Sequence, residues 1–77
     1  RWVGRVVLRT TLSPVDTYNH FFRTLNGSGW NLITALQGKT SGLTFSRGER
    51  VATVMIEGSA LSGTLVTILV TPREGAN

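Results

Sequence analysis

Ser13, Asp16 and His20 come nearest in type and spacing to a nucleophile, an orienting acid and a base. Asp16 and His20 are four residues apart, so on a helix their side chains can meet. Each of the three has a structural role at the same position. Ser13 precedes Pro14 and suits an N-cap, which ties its oxygen to the backbone. Asp16 stands where an acid closes a capping box and meets the positive end of the helix dipole. His20 then falls on a solvent-facing side. Neither oxyanion donors nor a second base accompany them. The expectation is a non-enzymatic protein with no catalytic residues.

Metal and cofactor chemistry fare no better. One histidine, no cysteine and four acids scattered at Asp16, Glu49, Glu57 and Glu74 give no ligand spacing typical of zinc or calcium. Gly27-Ser28-Gly29 and Gly38-Lys39-Thr40-Ser41-Gly42 resemble phosphate loops in composition. A phosphate cradle belongs at a strand-to-helix junction, where amide groups of the helix N-terminus point at the anion. These runs instead leave a helix or join strands, so no cofactor is expected.

The net charge of +4 comes from eight cations against four acids, and all the cations but Lys39 are arginine. That balance permits contact with phosphate or an anionic surface. Trp2, Trp30 or an outward Phe45 could stack bases beside Arg5, Arg9, Arg47 and Arg50, making a basic nucleic-acid platform the alternative function. The competing role for Trp30 is to seal a core beneath the helix end.

The elements that must position these residues are legible in the pattern. Trp2–Thr10 alternates as a half-buried strand, with Val3, Arg5, Val7 and Arg9 on one face and Trp2, Val6 and Leu8 on the other. Ser13 opens a helix whose Val15, Tyr18, Phe21, Phe22 and Leu25 form an apolar stripe, and Asn26-Gly27 supplies a left-handed stop. Trp30–Gln37 reads as a second strand and Gly38–Gly42 as a polar turn. Leu43–Ser46 reads as a short third strand, followed by a tight turn at Arg47-Gly48. Arg50–Glu57 is a fourth strand. Gly58–Gly63 is a loop, and Thr64–Thr71 is a fifth strand, apolar on both faces and ended by Pro72.

The order β-α-β-β-β-β predicts an α+β fold: a two-layer sandwich with one helix on a mostly antiparallel sheet of four to five strands. The apolar fraction of 40% against 16% charge is that of a globular chain, and residues 1–77 are read as one domain. The longest apolar run, Leu65–Val70, is interrupted by Thr67 and is far short of the ~20 residues of a membrane helix. The chain starts at Arg1 in strand-like sequence, and we read it as a processed or trimmed part of a longer product.

The run Pro14-Val15, Tyr18, Phe21-Phe22, Leu25 and Gly29-Trp30, followed by Leu43-Thr44-Phe45, Val51–Ile56 and Gly63-Thr64-Leu65-Val66, resembles the small α+β domains of bacterial envelope lipoproteins. Most of those domains have no assigned function. The resemblance spans Leu12 to Val70 and implies a periplasmic or outer-envelope setting, with cytoplasm the alternative. The acid-rich loops of such domains are replaced here by an arginine-leaning surface. No lipidation cysteine is present, so a membrane anchor could lie only upstream.

Apolar sheet residues outnumber what one helix of this length can cover. Val3, Val7, Val51, Met55, Leu65 and Leu69 cannot all lie beneath it together with the residues of the opposite face. Surplus apolar sheet surface is what a subunit interface or strand-addition site requires. The expected function is a structural, protein–protein assembly module, either with a protein partner or by self-assembly. Val3, Val7, Met55, Leu65 and Leu69 are expected at the interface, with Arg5 and Arg9 as polar partners.

Overall fold

The computed structural model describes residues 4–58 and 63–72. Strand β1 (Gly4–Thr10) leads to helix α1 (Pro14–Gly27), then β2 (Asn31–Leu36), β3 (Thr40–Arg47), β4 (Arg50–Gly58) and β5 (Thr64–Pro72). The strands form one five-stranded sheet in the order β1-β5-β4-β3-β2, with every neighbouring pair antiparallel. One helix on an open antiparallel sheet is the expected two-layer α+β arrangement. Strand β5 lies inside the sheet, paired by β1 on one flank and β4 on the other. Strands β1 and β2 occupy the opposite edges, so α1 carries the chain across the sheet.

The helix begins as its residues dictate. Ser13 is the N-cap in extended conformation, its Oγ accepting from the Asp16 amide at 3.1 Å. Pro14 fills the first helical position, where its missing N–H costs nothing. Thr17 is buried, and its hydroxyl donates to the Ser13 carbonyl at 2.8 Å. The buried stripe runs through Thr17, Tyr18, Phe21, Phe22 and Leu25, and Val15 is left 68% exposed. Val15 therefore lies outside the stripe assigned to it, and Thr17 takes its place over the sheet.

The helix stop is also displaced from Asn26-Gly27. Gly27 closes the helix with ordinary backbone, and the left-handed residue is Gly29 at φ 90°. The Trp30 amide bonds back to the Leu25 carbonyl at 3.1 Å, the six-to-one closure of a Schellman turn. Two glycines were available. The second is used because it returns Trp30 to the core beside Leu25.

Beneath the helix lie Leu43 and Phe45 of β3, Val54 and Ile56 of β4 and Val66 of β5, all at most 1% exposed. Burying each such side chain contributes roughly 1.5–3 kcal/mol. Strand β3 is longer than expected, because Thr40–Gly42 pairs with Met55–Glu57 instead of forming a turn. Strand β2 is correspondingly shorter, at Asn31–Leu36. The β3–β4 hairpin closes through Gly48-Glu49, with positive φ at Gly48 alone, as a type II′ turn requires. Trp2, Val3 and the Ser59–Ser62 part of the expected loop lie outside the described residues.

Candidate functional site

Residues directly opposite across an antiparallel pair share a face, so the register assigns each strand residue to a layer. Val6 and Leu8 of β1 pair with Ile68 and Val66, which pair in turn with Val54 and Ile56. These face the helix. The alternate positions form the outer face in four rows across the sheet, one of them being Thr71, Val51, Ser46 and Asn31. Arg9 pairs with Leu65, Leu65 with Glu57 and Glu57 with Thr40. Val7 pairs with Thr67, Thr67 with Met55, Met55 with Gly42 and Gly42 with Leu36. Arg5 pairs with Leu69, Leu69 with Thr53, Thr53 with Thr44 and Thr44 with Thr34.

Arg5, Val7, Arg9, Met55, Leu65 and Leu69, read from the sequence as one surface, thus fall on one face, turned away from the helix. Val3 lies outside the described residues. Val7 is 50%, Met55 44% and Leu69 39% exposed, and Leu65 is half-buried. The Met55 sulfur lies over Gly42, 3.7 Å from where a Cβ would stand, which levels the row that runs from Val7 to Leu36. The face is apolar and threonine-rich at its centre, with arginines along the β1 edge.

Leu36 belongs to this face and escaped the sequence reading. Strict alternation from Leu32 puts Leu36 on the helix side. The register shift at Ile33 moves Thr34 and Leu36 to the outer face, where Leu36 is 66% exposed. No residue of β2 announces that bulge. A second uncovered strip, also unforeseen, lies on the helix side at the β1 edge: Val6, Leu8 and Leu12 are 53%, 37% and 43% exposed. The helix packs over β4, β3 and β2 and leaves that edge bare.

Asp16 and His20 line one open groove beside the helix, together with Leu12, Asn19, Phe22 and Arg23. Ser13 Oγ is engaged by the Asp16 amide, and the His20 ring lies edge-on to Phe21 at 5.4 Å between centroids. Phe45 is fully buried and has no face for stacking, and Trp30 packs half-buried against the core. Arg5 and Arg9 are on the outer face, whereas Arg47 and Arg50 pair with each other in line with Phe45 and Ala52 on the helix side. The four arginines of the nucleic-acid alternative therefore divide between two faces. Among the described residues, no three His, Cys, Asp or Glu side chains converge. Also among the described residues, no helix is long and apolar enough to cross a membrane.

In comparisons with known proteins, no family model, curated protein or solved structure matches this chain.

Proposed function

We propose that this chain is a non-enzymatic assembly module, joining protein subunits or copies of itself through the outer face of its sheet. The observation that carries the reading is the shared face of Val7, Met55, Leu65 and Leu69, which surround Thr67 on three neighbouring strands and are flanked by Arg5 and Arg9 on β1. A sheet face of this composition associates by burying apolar area, at roughly 25 cal/mol per Å² before the costs of association. The envelope setting rests on the resemblance of the Pro14–Trp30 and Leu43–Val66 segments to the domains of bacterial envelope lipoproteins.

Sedimentation across a salt series, with the wild-type chain and a Leu69→Glu variant, tests the role. Apolar association holds or strengthens as salt rises, and Leu69→Glu yields a folded monomer. If nucleic acid is the true partner, binding falls log-linearly with salt, because neutralised phosphates release counterions. A Leu69→Glu chain that still assembles would show that the face is not the contact.

A further inference from the structure

We propose that the free edge of β1 takes up an extended segment of another protein, acidic at two positions four residues apart, as an added antiparallel strand. The proposal rests on the assembly role above and names the partner's chemistry. Among the described residues, strand β1 pairs with β5 on one side only, and its seven residues contain no proline, so its other side offers a row of backbone donors and acceptors. Both faces of the strand are also bare. Val6 and Leu8 are exposed on the helix side, and Arg5, Val7 and Arg9 are exposed on the outer side. An incoming strand would bury side chains on both faces while completing the ladder.

Charge decides what that strand is. A second copy pairing antiparallel along all of β1 would centre on Val7 and set Arg5 opposite Arg9, twice over. Like charges directly opposite destabilise a strand pair. An acidic residue in each of those places reverses the sign. The complementary pattern is acid, three apolar residues, acid, with the middle residue against Val7 and its neighbours against Val6 and Leu8. This chain cannot supply that pattern itself, since its acids stand at positions 16, 49, 57 and 74 and no two are four apart. The other edge strand lacks the same features: β2 carries no charge and is broken by the irregularity at Ile33.

The test uses a labelled peptide, Thr-Glu-Val-Val-Val-Glu-Thr, and its counterpart with lysine for both glutamates, titrated into the full 77-residue chain by fluorescence anisotropy. Two cross-strand pairs changed from attractive to repulsive amount to about a tenfold preference for the glutamate peptide. Amide NMR shifts are expected along Gly4–Thr10. An Arg5→Glu, Arg9→Glu double variant should reverse the preference, which also shows that it is folded. Equal affinity for the two peptides, binding of neither, or shifts confined to other strands would overturn the proposal. Leu69→Glu is to be run in parallel. If it abolishes assembly while the peptide preference is absent, strand addition alone has failed. If it leaves assembly intact while the glutamate peptide binds, the outer-face reading has failed and the edge stands.

Discussion

Gly63 and Thr64 hold β1 against β5 from outside the sheet's outer face. Gly63 has φ 76°, and a Cβ there would overlap the Thr10 carbonyl oxygen, so both conformation and space demand glycine. Next to it the buried Thr64 hydroxyl donates to the Leu12 carbonyl at 2.7 Å, tying the end of β1 to the start of β5. Gly63→Ala is expected to cost more than ~2 kcal/mol, read as a lowered midpoint in urea unfolding. Thr64→Val, nearly isosteric, should cost about 1 kcal/mol through the lost bond. A Gly63→Ala chain as stable as wild type would mean that β1 does not approach Gly63 so closely. Neither role could be read from the sequence, where Gly63 looks like any loop glycine. Its partner is more than fifty residues away and is brought near only by the pairing of β1 with β5.

At the scale of the elements, local chemistry made the helix start plain and left its end ambiguous. Ser13-Pro14 fits one position of one helix, so the N-cap is where the sequence puts it. Gly27 and Gly29 are both credible stops, and the choice depends on where Trp30 must land. The two glycines therefore respond oppositely to alanine. Gly27 has helical backbone and open space around a Cβ, so Gly27→Ala should stabilise by roughly 0.5–1 kcal/mol. Gly29 has φ 90°, and Gly29→Ala should destabilise by about 1–2 kcal/mol. Thermal unfolding of the two variants checks the assignment, and the reverse order would put the stop back at Gly27. The strands show the same division. Alternation in β1, β4 and β5 was readable because no irregularity interrupts it. In β2 one extra residue reversed the faces beyond Ile33 and hid Leu36. At Thr40–Gly42 a glycine-bracketed polar run looked like a turn, but long-range pairing with β4 makes it strand.

For the molecule as a whole, one helix and five strands cannot hide all the apolar surface the chain carries. The helix covers β4, β3 and β2 on one face. The outer face keeps Val7, Met55 and Leu69 at 50%, 44% and 39% exposure, and no strand among the described residues pairs with the outer edge of β1. The side-chain partition that makes this face was visible in the alternation of three strands. What the sequence could not give was the strand order that sets those strands side by side, since that order depends on β5 returning between β1 and β4. The most direct measurement is crosslinking in the cells that make the protein, followed by native mass spectrometry of the wild-type chain and the Leu69→Glu variant. The expected result is a discrete larger species for wild type, lost in the variant, with unchanged circular dichroism. A wild-type chain found only as a monomer, or a variant that crosslinks as wild type does, would contradict assembly through the outer sheet face.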